Sequence, residues 1–253
     1  MGKHGLMYFP YPFALDYKKK HVVCHFDAQF GLPYVIHSGK NLYFPKSNAY
    51  RDKKVVESAY KSLLIEQDIS SPHRYVEDIN RLKGKTLLDI GAAEAIFALD
   101  VIELVGHVYL FECDDVWIEA LNATFAPWKN KVTIVHKYVS DSNDENTVTL
   151  DRFFEDKDKR NLFIKMDIEG YEQAALRGAT NLLREAHDID FSICTYHKKN
   201  DAVEIAGMLN SFGLEWEQTE GCLYFERDFR KGIIRRKVKK TKNTVAKSSI
   251  SRI

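Results

Sequence analysis

The sequence predicts an α/β protein built on a mostly parallel, doubly wound sheet, with an antiparallel final strand and an N-terminal accessory layer. Three observations predict it. From residue 85 onward, short apolar runs of strand length alternate with longer runs of helical spacing, the pattern of strands joined by crossover helices. The first such strand, TLLDI, leads into a turn of small residues, Gly91-Ala92-Ala93-Glu94-Ala95. The second ends in an acid, Glu112, 23 residues after Asp89.

Each element follows from local pattern. Residues 1–50 are aromatic and hold four of the six prolines. HVVCHF and LPYVIHSGKNLYFP read as short strands with turns at Gly31–Pro33 and Ser38–Gly39. From Asp52 to Gln67 the apolar positions Val55, Val56, Ala59, Tyr60, Leu63 and Leu64 are spaced for a helix, which DISSPHRY ends. Residues 1–80 form the accessory layer and 81–226 the main domain. There, strands are expected at 86–90, 107–112, 132–140, 161–167 and 189–196. Helices are expected over AEAIFALDVIELV, DVWIEALNATFAPW, YEQAALRGATNLLRE (with Gly178 a weak point) and AVEIAGMLNSF. LEWEQ and CLYFE are expected to close the sheet as an antiparallel pair. The third unit, 227–253, is a basic tail.

Charge and thiols bound the class. The net charge of the 253 residues is only +1, yet residues 227–253 hold eleven Lys/Arg against one acid, leaving the rest at −9. An acidic body with a basic end does not offer the broad positive face of a nucleic-acid enzyme. The tail reads as a solvated end or as a contact for anionic membrane or glycan. Cys24, Cys113, Cys194 and Cys222 form no CxxC pair and read as reduced thiols of a cytoplasmic protein. No apolar run approaches the length of a membrane span.

In an open α/β sheet, ligands bind beyond the carboxyl ends of the strands. The loop after the first strand places Gly91, Ala93 and Ala95 at alternate positions, where small side chains let a ligand come close to backbone. Glu112 suits the hydroxyls of a ribose. A dinucleotide's G-x-G-x-x-G would fall on Gly91, Ala93 and Ile96, a poor match, and there is no Walker lysine. S-adenosylmethionine has no pyrophosphate and carries a positive sulfonium, which an acidic body suits.

LLDIGAAEAIFAL, VYLFECD, VSD (139–141) and IKMDIEGYEQAALRGA, in this order over about residues 85–200, resemble the FkbM-type family of S-adenosylmethionine-dependent methyltransferases. The resemblance implies a class I, Rossmann-like methyltransferase fold. It implies O-methylation of sugars or other hydroxyl-bearing natural products, here of a nucleotide-activated sugar such as a GDP-linked heptose or hexose for capsular polysaccharide. By matching positions, Asp89 and Gly91, with Ala92, Ala93 and Glu94, would meet the methionine end of the cofactor, and Asp167 is also a candidate cofactor contact. Glu112, with Cys113, would hold the ribose, and Ser140 and Asp141 would lie by the adenine. Ala95 stands where the family often has glycine.

Methyl transfer to a hydroxyl needs the proton removed. Asp167 and Glu169, at the end of the fourth strand, and His197, at the end of the fifth, leave the same sheet edge. A histidine of near-neutral pKa, oriented by a carboxylate, suits the task. The same three residues would also serve a divalent metal, though no spacing motif demands one. Plainer roles are a helix cap for Asp167, a turn brace for Glu169 and an exposed loop position for His197. Glu172 reads as a solvated or capping acid. Lys165, Tyr196, Lys198 and Asn200 are candidate acceptor contacts. His73 and Arg74, with Tyr75, would close over a carboxylate or phosphate, or simply form a turn at Pro72. Other acceptors remain open: a nitrogen, a small phosphorylated metabolite or a finished glycan. So does a non-catalytic binding module on the same fold.

Overall fold

A computed structural model describes residues 7–185 and 188–237. Strand β1 (Met7–Tyr8) leads into helix α1 (Pro12–Lys19). The aromatic, proline-bearing N-terminus suggests only strands there. The difference is that Pro12 is the first helical residue, where its fixed φ fits and no N–H is needed. Strands β2 (His25–Asp27), β3 (Leu32–His37) and β4 (Lys40–Tyr43) form an antiparallel sheet. Ser38 and Gly39 both take positive φ, as a two-residue hairpin turn requires. Helix α2 (Lys53–Glu66) starts at Asp52, whose side chain accepts from the Lys54 N–H.

The main domain runs β5 (Thr86–Ile90), α3 (Ile96–Val101), β6 (His107–Phe111), α4 (Asp115–Phe125) and β7 (Val132–Val135). The expected third strand splits here: β8 (Tyr138–Val139) leaves the sheet to pair with β9 (Thr147–Val148). Helix α5 (Leu150–Phe153) and strand β10 (Leu162–Met166) follow. The next helix divides into α6 (Glu172–Arg177) and α7 (Thr180–Glu185). Gly178 marks the break, and a Cβ there would lie 2.0 Å from the Ser140 carbonyl oxygen, so glycine lets the helix end touch that loop. Then come β11 (Ile189–Cys194), α8 (Asp201–Ser211), β12 (Trp216–Gln218), β13 (Leu223–Phe225), β14 (Asp228–Arg230) and β15 (Ile233–Arg236).

The seven-stranded sheet has the order β7-β6-β5-β10-β11-β15-β12. β7 through β11 are parallel, and β15 runs antiparallel to both its neighbours. An antiparallel final strand is present as expected, but its partners differ. β12 pairs with β15, whereas β13 turns back through Glu226 and Arg227, both at positive φ, to β14 and also pairs with β1. The basic segment is therefore not loose from residue 227. Ile233 and Ile234 are fully buried and close the sheet. The remainder of the tail, 238–253, lies outside the described residues.

Strand parity sorts the core. Leu87 and Phe163 face one side, with Phe97, Val108 and the N-terminal residues Val35, Leu42 and Val56. Leu88, Ile90, Ile164 and Met166 face the other, under α6, α7 and α8. The accessory layer thus shares a core with one face of the main sheet. From β5 the chain moves outward to β6 and β7, then returns to β10 beside β5. That change of direction opens the crevice beyond Ile90 and Met166.

Candidate active site

Parity also builds the site. Asp89 and Lys165 are register partners on neighbouring strands and point to the same face as Leu87 and Phe163. Their side chains are buried and ion-paired at 2.8 Å. The Lys165 ammonium also donates to the Gly91 carbonyl. Burial opposes its charge, but Asp89 and Asp167 outweigh that and hold its pKa above the ordinary lysine value. Burial pushes Asp89 up even with Lys165 beside it; two carboxylates serve one ammonium, so the lysine is the better compensated partner. Lys165 is therefore committed inside the fold and is not an open acceptor contact. Asp89 lies beneath the glycine loop rather than in the crevice.

Gly91 has φ +75, and a Cβ on it would lie 1.9 Å from the Asp167 carbonyl oxygen. Ala93 and Ala95 also have positive φ, 44 and 55, an unusual choice for residues with a Cβ. Glu112 fastens this loop to the end of β6. One of its oxygens accepts from Ala93 N–H (2.8 Å), the other from Cys113 N–H (2.7 Å) and Asp114 N–H (2.8 Å). A carboxylate has about four acceptor positions, so one remains for a ligand hydroxyl. Burial and Glu112 raise the Cys113 thiol to about 11. Ser140 and Asp141 sit farther out, where Asp141 pairs with Arg177 on α6 at 2.9 Å.

Asp167 is the hub. Its Oδ2 accepts from the Tyr75 hydroxyl (2.8 Å) and its Oδ1 from the Tyr196 hydroxyl (3.2 Å). His73 Nε2 lies 3.6 Å from Oδ2 and His197 Nε2 3.4 Å from Oδ1. Burial would raise Asp167, but His73, His197, Lys165 and the Tyr75 hydroxyl reverse this and hold it well below the usual carboxylate range. Tyr196 gives its one proton to Asp167, so His73 Nε2–H donates to the Tyr196 oxygen, 3.1 Å away. His73 is wholly buried, and burial pushes it down to about 4, so it is neutral. It is a brace under Asp167, not a contact for a substrate. Arg74 is likewise taken up, donating to the carbonyls of Val76 and Gln67.

Of the two roles expected for Glu172, a solvated or a capping acid, the first is overturned. Glu172 is fully buried; its Oε1 accepts from His197 Nδ1 (2.8 Å) and from Ile168 N–H (3.0 Å). His197 is therefore not an exposed loop histidine. Its Nε2 points toward Asp167 and toward Glu169, 3.8 Å away. Burial disfavours the imidazolium, but Glu172 first, then Asp167 and Glu169, raise its pKa to about 9 rather than leaving it near neutral. Glu169 itself has φ 54, and its side chain is largely exposed at the crevice mouth. Asp201 steadies the following loop, accepting from Lys198 N–H and Gln173. Lys198 and Asn200 are exposed beyond it.

Glu66, at the end of α2, completes an acidic wall. Burial and the charges of Asp167, Glu94 and Glu169 raise its pKa. Sequence reading missed Glu66 and misjudged Glu172. The signal for Glu172 was present: it shares the stripe of Ala175, Leu176 and Ala179, the spacing of a buried helix face. Two cavities lie elsewhere. One of ≈ 220 Å³ is lined by Phe26, Tyr50 and the basic Lys46, Arg51 and Lys53; an open one of ≈ 420 Å³ lies by Trp216. The titratable groups converge at the strand edge instead, and that is where chemistry is available.

The strand order, the reversed seventh strand and a loop-plus-acid pair at the switch point define a class I methyltransferase fold. The family model described as Methyltransferase FkbM domain matches residues 119–224, so the resemblance in the motifs holds over that part of the chain. No curated protein sequence matches. Among solved structures, the chain is similar to methyltransferase FkbM from Methylobacillus flagellatus KT, at 18% identity and a TM-score of 0.49, over 70% of this chain and 54% of that one. It is also similar to the METTL16 MTase domain, at 16% identity and a TM-score of 0.49, over 89% and 87%. A third is precorrin-6y C5,15-methyltransferase from Geobacter metallireducens GS-15, at 12% identity and 0.42, over 76% and 90%.

Proposed function

We propose that this chain is an S-adenosylmethionine-dependent O-methyltransferase of a sugar hydroxyl, with a nucleotide-activated sugar such as a GDP-linked heptose or hexose for capsular polysaccharide as acceptor. The observation that carries the reading is the join of the glycine loop to Glu112 beside the Asp167–His197 pair, at one switch point. Glu112 would take a ribose hydroxyl at its remaining acceptor position. The Gly91–Ala95 backbone would lie along the methionine part, with Ser140 and Asp141 toward the adenine. The wall of Glu66, Glu94, Asp167 and Glu169 suits a positively charged ligand and disfavours a pyrophosphate. When bound, S-adenosylmethionine supplies an electrophilic methyl group; the acceptor oxygen bonds to it while the carbon–sulfur electron pair stays on sulfur.

With its pKa raised to about 9, His197 holds a proton on Nε2 at neutral pH; once that proton has left, Nε2 would receive the hydroxyl proton, with Glu172 keeping Nδ1–H so that Nε2 is the basic atom. Asp167 would steady the imidazolium formed. With His73, Arg74 and Lys165 internal and Arg230 donating to the Tyr196 and His197 carbonyls, Lys198 and Lys199 are exposed basic groups near the crevice. A nucleotide diphosphate would therefore reach toward Lys46, Arg51 and Lys53. Tyr50, which lines their cavity, senses the charge of Glu94, so cavity and glycine loop are neighbours. Acceptors with smaller anionic groups, a nitrogen acceptor or a finished glycan remain in the same reading. No helix among the described residues is long and apolar enough to cross a membrane, and cytoplasmic action on a nucleotide sugar is part of the proposal.

Calorimetric titration with S-adenosylmethionine, S-adenosylhomocysteine and NAD tests it. Micromolar binding of the two adenosyl ligands and none of NAD is expected, followed by methylated product in a nucleotide-sugar screen. No adenosyl binding would favour a non-catalytic module.

A further inference from the structure

We propose that His197 Nε2, Asp167 Oδ1 and the Glu169 carboxylate form a binding site for a divalent cation at the mouth of the crevice. The proposal rests on the methyltransferase reading for its purpose, not for its existence. His197 is the first reason. Its side chain is only 3% exposed, yet Nε2 has no hydrogen-bond partner and is aimed at two carboxylates. The second is spacing. Nε2 lies 3.4 Å from Asp167 Oδ1 and 3.8 Å from Glu169 Oε2. Two ligands each about 2.1 Å from one metal sit roughly 3.0–3.4 Å apart, so the histidine–aspartate edge already has a metal's dimensions, and the exposed Glu169 would turn in to complete the site.

The third reason is the supporting layer. Metal-bound histidines usually give their second N–H to a carboxylate, which fixes the ring and the free nitrogen. Glu172 does this for Nδ1 at 2.8 Å, from a fully buried position. The Tyr75 and Tyr196 hydroxyls fix Asp167 in the same way. Among the described residues, Asp167, Glu172 and His197 have ligand atoms within 4.8 Å of one another, with Glu172 engaged at His197 Nδ1 and Glu169 outside that set until it turns in; the other such group is His73, Asp167 and Cys194. It is a poorer site, because His73 and Cys194 are sealed inside and His73 Nε2 already serves Tyr196. One imidazole and two carboxylates suit a first-row divalent ion such as Mn²⁺. Held there, it would face the arriving acceptor hydroxyl and lower its pKa.

The test uses the full chain, freed of metal with EDTA and desalted, without S-adenosylmethionine. Mn²⁺ is titrated and followed by electron paramagnetic resonance and calorimetry. One Mn²⁺ per chain is expected, with a nitrogen coupling from imidazole and a Kd below about 100 μM. His197→Gln and Asp167→Asn should each weaken binding at least tenfold, and Glu172→Gln roughly tenfold through the ring it orients. Glu169→Gln, at an exposed position, should weaken it several-fold and serves if a buried variant does not fold. Absence of stoichiometric binding at millimolar Mn²⁺, or binding that survives His197→Gln and Asp167→Asn unchanged, would overturn the site. S-adenosylmethionine binding in EDTA, measured in parallel, separates the two proposals: if it persists where Mn²⁺ fails, only the cation site falls.

Discussion

Gly91→Ala should be among the most damaging single-methyl changes this chain can suffer. The added Cβ would lie 1.9 Å from the Asp167 carbonyl oxygen and 2.8 Å from Ile168 Cγ2. Neither can yield cheaply, because the oxygen is backbone and Asp167 N–H donates to the Ile90 carbonyl at 3.0 Å. Holding alanine at φ +75 costs about 1–2 kcal/mol. Opening the β5–β10 junction forfeits at least one backbone hydrogen bond, about 1 kcal/mol. Together these give about 2–3 kcal/mol. Urea unfolding reads this directly: with a slope of roughly 3 kcal/mol/M, the midpoint should fall by about 1 M at unchanged slope. S-adenosylmethionine affinity should fall as well, since the loop cannot keep its path. A loss under about 1 kcal/mol would refute the close-approach reasoning. Ala95→Gly in the same loop is the control. Relief of left-handed strain, about 1–2 kcal/mol, is offset by a lost buried methyl, about 0.8 kcal/mol, and by glycine's freedom when unfolded, about 0.4–1 kcal/mol. The sum is near zero. The family's glycine is therefore not needed here for the fold.

Four further outcomes are expected. Glu172→Gln keeps an acceptor for His197 Nδ1 but removes the charge, so the His197 pKa, measured by NMR in EDTA, should fall from about 9 by at least one unit; an unchanged value would remove Glu172 as its cause. His73, depressed from 6.5 to about 4 by burial, binds its proton more readily in the unfolded chain. Its contribution is thus present above pH 6.5 and is lost as pH falls toward 4, up to about 3 kcal/mol at about 1.4 per unit; urea midpoints across that window, compared with His73→Gln, check it. Glu112→Ala should weaken S-adenosylmethionine at least tenfold, about 1.4 kcal/mol, by losing the ribose contact and the Ala93 tether together. His197→Ala and Asp167→Asn should abolish turnover while cofactor binding in calorimetry changes little; wild-type rates in either would remove the proposed base.

The sheet was legible because its strands are continuous apolar runs and its helices are periodic, and parallel topology leaves few arrangements of such a list. What escaped were contacts between distant segments. CLYFE has the pattern of a sheet strand, but its partners are Met7–Tyr8 and Asp228–Arg230, which short strands do not announce. Ile233 and Ile234 sit among basic residues, so composition concealed an interior strand of the main sheet. In the candidate site, Asp167, Glu169 and His197 were named from their places at strand ends and do meet. Arg74 and Lys165 were named for their charge alone, and charge does not reveal that a carbonyl or a buried carboxylate has already claimed it.

Parity recovers part of that loss. Along β10, Phe163, Lys165 and then Asp167 share one face, and along β5 so do Leu87 and Asp89. A lysine opposite an aspartate on one apolar face must be paired, because neither charge can be buried alone. The ion pair under the glycine loop therefore follows once the two strands are placed side by side. The same rule applied to α6 puts Glu172 on the apolar stripe, where a carboxylate must find a donor; the nearest candidate beyond the next strand is the only histidine in TYHKKND. Reading which face a charged residue must occupy, rather than how polar it is, separates the side chains that build this site from those that are free to touch a ligand.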